Sequence, residues 1–204
     1  MDKVCILDYG SGNTKSVYNL FASISTNVFI SNAIIDINDA SHIVLPGVGS
    51  FKSSMTKIIE TIPMDTLREN LFKKGKPFLG ICVGMQVLAD IGQEFEETNG
   101  LGWVSGEVKR LECNSLPLPH VGWNSVNIAK TSFLFRDIED GSDFYFVHSY
   151  AFRPVDRNCI ISNTIYGETF CSALEYDNFY GVQFHPEKSH VAGRKLVNNF
   201  LSIT

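Results

Sequence analysis

The sequence predicts an α/β protein, an open and mostly parallel sheet flanked by helices with a smaller antiparallel extension. Three observations lead there. Short apolar runs at 3–8, 27–30, 42–45 and 77–82 read as strands buried on both faces, and all but the second lead into helical spacing of apolar side chains. After Gly100 the texture changes to strand candidates separated by turn residues, which suits antiparallel pairing. The chain then returns to one more apolar run and a closing helix.

Taken in order, Lys3 to Asp8 is the first strand, and Thr14 to Ile24 places Val17, Leu20, Phe21 and Ile24 on one helical stripe. Asn27 to Ile30 and His42 to Leu45 are the next strands. Pro46-Gly47-Val48-Gly49 breaks the chain before a helix carrying Phe51, Met55, Ile58 and Ile62, which Pro63 ends. Met64 to Lys74 forms another helix, closed by Lys73, Lys74 and Gly75. Pro77 to Cys82 is a strand that turns at once into a helix over Met85 to Ala89. The extension comprises strands at Val104 to Leu111, Ser125 to Ala129, Asp143 to Val147, Ile160 to Ile165 and Ser172 to Tyr176. Phe179 to Phe184 is the last strand, and Ser189 to Leu201 a helix with Val191, Leu196, Val197 and Phe200 inward.

At 204 residues, without repeat, linker or low-complexity tract, residues 1–204 read as a single domain. Lys plus Arg is 17 and Asp plus Glu 22, a net charge of −5 with no block of like charge, which argues against nucleic acid and anionic membranes as partners. The opening holds a four-residue apolar run, Val4 to Leu7, against the 7 to 15 residues or so of a signal-peptide core, so the expectation is a cytoplasmic chain. The longest apolar stretch, Phe78 to Ala89, spans twelve residues, short of the roughly 20 that cross a bilayer. Five cysteines, at 5, 82, 113, 159 and 171, form no C-x-x-C pair and are expected as reduced thiols.

The strongest chemical signal is Gly80-Ile81-Cys82-Val83-Gly84-Met85-Gln86. Glycines two before and two after a cysteine, where a strand turns directly into a helix, follow the nucleophile-elbow pattern with sulfur in place of oxygen. The helix start favours a thiolate there. A cysteine taken at random is a small buried hydrophobe, and Cys5, Cys113, Cys159 and Cys171 keep that reading. A thiol nucleophile needs a base and a group that orients the base. In Gly181-Val182-Gln183-Phe184-His185-Pro186-Glu187, a histidine ends a strand and a carboxylate follows two residues later, across a proline-fixed turn. His42, His120, His148 and His190 read as structural, and His185 with His190 lacks metal-pair spacing. Pro46-Gly47-Val48-Gly49 can aim backbone N–H groups at an oxyanion. Asp8-Tyr9-Gly10-Ser11-Gly12-Asn13 reads as a backbone turn rather than a phosphate cradle, and Glu94, Glu96 and Glu97 as a solvated face.

With these segments in this order, the chain resembles the class I (triad) glutamine amidotransferases, and among them the glutaminase subunits of histidine biosynthesis. The resemblance runs nearly the whole length, through 8–13, Pro46 to Phe51, Gly80 to Gln86, Gly100-Leu101-Gly102-Trp103, Pro119 to Asn124, Tyr145 to Tyr150 and Gln183 to Ser189. It implies Cys82 as nucleophile, His185 as general base and acid, and Glu187 as orienter. It implies a glutamine site formed by Gly49, Gln86 and the backbone near Ser149 and Tyr150, and oxyanion donors from Val83 and from the Gly47-Val48 peptide, which would reorient when the partner's ligand binds. It also implies ammonia release into a tunnel, a (βα)8-barrel cyclase partner in a heterodimer, and no metal or organic cofactor. Thr14, Val121 and Ala151 stand where Leu, Met and Tyr are expected, and are candidates for the face toward the partner. Two other readings stay open here: a paralogous subunit supplying ammonia for amidation of a surface sugar, and a catalytically silent binding subunit. An intact Cys82, His185 and Glu187 counts against the second.

Overall fold

The computed structural model describes residues 3–10, 13–113 and 115–204; Ser11 and Gly12 of the opening glycine turn lie outside the described residues. Numbered along the chain, the largest sheet runs in the order β2 (Val28–Ile30), β1 (Val4–Ile6), β3 (His42–Gly47), β4 (Phe78–Cys82), β14 (Phe179–Val182), β13 (Glu168–Tyr176), β12 (Ile160–Tyr166) and β9 (Asn127–Ile128). The first five are mutually parallel, and from β13 onward the pairing is antiparallel. β1, β3, β4 and β14 are buried along their whole length, which is why their sequences are apolar without alternation.

Helices cover this sheet. α1 (Thr14–Ala22) buries Val17 and Phe21 of the predicted stripe, with Leu20 and Ile24 packed at its edge. α3 (Phe51–Thr61) buries Phe51, Met55 and Ile58, and its first N–H, that of Phe51, donates to the Glu94 carboxylate at 2.7 Å. α4 (Met64–Arg68) continues into a π-helical turn at Glu69–Lys73, and the Asn178 side chain donates to the Leu71 and Lys76 carbonyls at 3.0 and 2.7 Å, tying this helix end to the β13–β14 turn. The short helix α2 (Ile34–Asp39), too brief to show a period, falls outside the sequence-based elements.

Two smaller sheets make the extension. β8 (His120–Ser125) pairs antiparallel with β10 (Asp143–His148), and β11 (Tyr150–Pro154), β7 (Gly106–Arg110), β5 (Ile91–Gly92) and β6 (Thr98–Asn99) form a second sheet. Within it β5 lies parallel to β7 and the other pairs are antiparallel. The expected strand over Ser125 to Ala129 divides into the end of β8 and the two residues of β9, which join different sheets. β8 was hidden because Gly122 and polar residues break its apolar run.

Two further expectations are corrected. The helix after Cys82 is α5 (Val83–Gln86), starting on the residue after the cysteine rather than at Met85. In α6 (His190–Leu201), Leu196, Val197 and Phe200 point inward as expected, whereas Val191, in the first turn, is 74% exposed because the buried face begins at Gly193.

Candidate active site

Strand β4 delivers Cys82 to the carboxyl edge of the parallel sheet, opposite Gly47 of β3. The backbone there is strained: Cys82 has φ +55° and ψ −111°, a left-handed conformation that a non-glycine residue adopts only when its surroundings enforce it. The surroundings are glycines. A Cβ on Gly84 would sit 1.8 Å from the Leu45 carbonyl oxygen, and one on Gly80 would sit 2.4 Å from the Gly84 carbonyl oxygen. The elbow closes only because both positions lack a side chain. At Gly47 a Cβ would meet the Gly84 backbone nitrogen at 2.8 Å, so this turn is tight as well.

β14 runs beside β4 and carries the chain on to His185 and Glu187. The side chains of His185 and Glu187 are both buried, and the imidazole Nδ1 lies 2.7 Å from Glu187 Oε1. The same carboxylate accepts from the Asn13 side-chain amide. The His185 backbone N–H donates to the Tyr145 carbonyl at 2.8 Å, which fixes the loop that holds it. Burial opposes a charge on His185, but the adjacent Cys82 sulfur and the Glu187 carboxylate outweigh it and raise the imidazole to about 10. Burial likewise pushes Glu187 up, and its contacts with His185 reverse that and hold it below the usual carboxylate range. The three side chains therefore rest with a charged imidazolium between a carboxylate and a sulfur.

Beside Cys82 is a cavity of about 240 Å³ lined by Val48, Gly49, Val83, Gln86, Glu94, Pro119, Val147, His148, Ser149 and Tyr150. The segments singled out in the sequence thus converge: Val48 and Gly49 from the turn after β3, Val83 and Gln86 from the elbow helix, Ser149 and Tyr150 from the β10–β11 connection. Gly49 has φ +109°, which its glycine permits. Val83, the first residue of α5, has a backbone N–H with no carbonyl of its own helix to bond.

Two groups at this cavity escaped the sequence reading. Glu94 is no part of a solvated face: it is half-buried, caps α3 and lines the cavity, leaving Glu96 outside in an ion pair with Lys52. His120 and His148 are directly opposite in the β8–β10 register, and His120 Nδ1 lies 3.1 Å from His148 Nε2. No local signal in the sequence marks either, since each depends on strand pairing between distant segments. Of Thr14, Val121 and Ala151, the candidates for a face toward the partner, only Val121 is exposed; Thr14 and Ala151 are buried, and the Thr14 hydroxyl donates to Asp8 Oδ1 at 3.2 Å.

Among the described residues no cluster of His, Cys, Asp or Glu is arranged to hold a metal ion, and no helix is long and apolar enough to cross a membrane. All five cysteines are free thiols. Burial pushes the thiols of Cys5 and Cys159 up, to about 12 and about 11, and that of Cys171 further still, so these three are inert at neutral pH.

The profile of the family "Glutamine amidotransferase class-I" matches residues 5–203. The imidazole glycerol phosphate synthase subunit HisH of Pelagibacter ubique is 43% identical, with 98% of this chain and 99% of that protein aligned. The protein of the same name from Leptospira borgpetersenii is 41% identical over 97% of this chain and 98% of its own length. Among solved structures, a glutamine amidotransferase from Thermotoga maritima superposes with a TM-score of 0.63 over 91% of this chain and 76% of that one at 18% identity, a likeness of fold.

Proposed function

From the premise that this chain belongs to the class-I glutamine amidotransferase family, we propose that it hydrolyses glutamine to glutamate and ammonia with Cys82, His185 and Glu187 as its catalytic triad. It is a glutaminase subunit serving imidazole glycerol phosphate synthase in histidine biosynthesis, in line with relatives of that name at about 40% identity over nearly the full length. The observation that carries the triad is the strained Cys82 elbow facing an imidazole whose pKa Cys82 and Glu187 together raise.

The mechanism follows from these groups. The Cys82 sulfur, negatively charged beside the imidazolium, attacks the side-chain carbonyl carbon of glutamine. The oxyanion that forms is met by the Val83 N–H and by the Gly47-Val48 peptide. The tetrahedral species collapses as His185 Nε2 gives its proton to the departing nitrogen, releasing ammonia and leaving a thioester on Cys82. Water then enters, His185 takes its proton, and the thioester breaks to glutamate, freeing the Cys82 sulfur beside the imidazolium. Glu187 holds Nδ1–H throughout and keeps the ring aligned. Asn13 holds Glu187. In the pocket, the Glu94 carboxylate receives the α-ammonium of glutamine, and Gln86, Gly49 and the Ser149–Tyr150 backbone hold the rest.

The ammonia passes to a second protein chain, whose binding face we place over the triad. Val121 and Trp123 on β8 are exposed, Trp123 packs edge-on to Tyr145 and flat on His190, and Lys188 Nζ lies over the Tyr145 ring. The Tyr145 carbonyl receives the His185 N–H, so this apolar patch is joined directly to the base. The partner we assign to it is a (βα)8-barrel cyclase. The test is glutamate release from glutamine by the purified chain, alone and then with the cyclase partner and its nucleotide ligand. Release that rises strongly with both present is the expected result; release indifferent to the cyclase overturns the partner, and none under any condition overturns the glutaminase.

A further inference from the structure

We propose that Gln183 is a positioning residue for the nucleophile, its side-chain amide donating to the Cys82 sulfur and stabilising the negative form that attacks. This deepens the glutaminase reading and rests on it for its purpose, though not for its test. Gln183 stands two residues before His185, in the bend by which the chain leaves β14, and its side chain reaches the Cys82 sulfur. Its side chain is completely buried, and Nε2 lies 3.6 Å from Cys82 Sγ.

The direction of that contact follows from the neighbours, because an amide nitrogen and oxygen are distinguished by their partners. The anchor is the Tyr150 carbonyl, which only accepts. Gln86 Nε2 lies 2.8 Å from it and 2.9 Å from Gln183 Oε1, so both N–H bonds of Gln86 are committed and the oxygen of Gln183 is turned to Gln86. The NH2 end of Gln183 is left toward the sulfur. The same carbonyl accepts from His148 Nδ1 at 2.9 Å, whose Nε2 in turn accepts from His120 Nδ1, so the anchor is held from a second side. Flipping Gln183 would set two NH2 groups against each other and an oxygen against a negative sulfur, two unfavourable contacts for two good ones. A donor on a charged acceptor is stronger than one between neutral groups, so the contact favours the ionised sulfur over the thiol. His185 supplies charge to the sulfur and Gln183 a fixed direction.

Two substitutions test this on the whole chain. Gln183→Met keeps length and removes the donor; Gln183→Glu keeps shape and puts oxygen at both ends. The readout is the rate of iodoacetamide alkylation at Cys82, followed by peptide mass mapping as pH is varied; the cavity gives the reagent access to this sulfur. In each folded variant we expect alkylation at neutral pH to fall about tenfold, the profile to move to higher pH, and the wild-type rate to return at the alkaline end. The kcat for glutamine falls by a comparable factor with KM little changed. An alkylation profile superimposable on wild type in a folded variant overturns the proposal. Should thermal melts show that neither variant folds, Gln86→Met releases Gln183 from its fixed orientation, and the same displacement is expected there and the same superposition is fatal. Alkylation needs no glutamine, so a displaced profile in a chain that never releases glutamate keeps this inference and overturns the function proposed above.

Discussion

Two buried clusters, one of His185 with Glu187 beside Cys82 and one of His148, which lines the Cys82 cavity, with its partner His120, hold opposite charge states. His185 is raised to about 10, while His148 is lowered to about 3 and His120 to about 4. Burial works against the charged imidazole in all three. His185 escapes because two acids face it, the Cys82 sulfur on one side and Glu187 on the other. His148 faces the Tyr150 carbonyl, neutral His120 and the positive charge of His185, so the carbonyl's small favourable effect loses to desolvation. His120 lies sandwiched against Tyr166 and Phe146, and burial alone lowers it. The pair teaches that burial alone holds a histidine neutral, and that acidic neighbours on two sides reverse the sign of the shift.

The strongest way to break the first cluster is to remove its sulfur. Cys82→Ala or Cys82→Ser is expected to lower glutamate release by on the order of a thousandfold or more, with the fold and partner binding intact. In the assembled complex the product then forms with added ammonium salts but not with glutamine. Ammonia release that persists in either variant removes Cys82 from its role. Next in size is Glu187→Gln, which leaves shape but takes away the charge that distinguishes His185 from His148. Release is expected to fall by about a hundredfold to ten-thousandfold, in the range seen for orienting carboxylates elsewhere. The histidine signal followed by NMR should titrate at lower pH than in wild type; an unmoved His185 would mean that the sulfur alone sets it.

A third variant probes the pocket wall that belongs to neither cluster. Glu94→Gln removes the carboxylate that lines the cavity while its amide oxygen can still cap α3. We expect KM for glutamine to rise roughly tenfold to hundredfold from loss of a charge-assisted bond to the α-ammonium, with kcat nearly constant. A fall in kcat at unchanged KM would place Glu94 in the chemistry instead.

The contrast between the clusters also explains what the sequence disclosed. The parallel half was readable because its strands are buried on both faces and its elbow needs glycine at 80 and 84, a requirement written locally. Cys82, His185 and Glu187 stand in short segments whose residue types and spacing mark them as candidates, and the structure brings the three together. The second cluster was not readable: His120 meets His148 only through the register of β8 with β10, across 28 residues, and each alone looks like a buried ring. Glu94 misled for the same reason, since its neighbours Phe95, Glu96 and Glu97 are exposed and only the approach of the α3 N-terminus draws it in. Val191 misled through helix phase, as the packed stripe of α6 starts one turn later than the apolar residues suggest.

The smallest effect, and the one that separates the two clusters by stability rather than activity, is acid sensitivity. A histidine whose folded pKa lies below its unfolded value binds its proton in the unfolded chain first, so stability is full above about 6.5 and falls as pH drops toward the folded value, about 3 for His148. His185 has the opposite sign, its contribution being complete below about 6.5 and lost as pH rises through about 10. Moderate acid therefore leaves the His185 contribution in place and charges the His148 side of the balance. Between pH 7 and pH 5, one histidine held neutral in this way lowers the unfolding free energy by about 2 kcal/mol. Urea unfolding at those two pH values measures the difference. His148→Gln removes the titrating ring while its side-chain amide can still donate toward the Tyr150 carbonyl, and the acid loss should shrink by about that amount. A variant as acid-sensitive as wild type would place the proton uptake elsewhere in the chain and leave His148 with no part in the contrast.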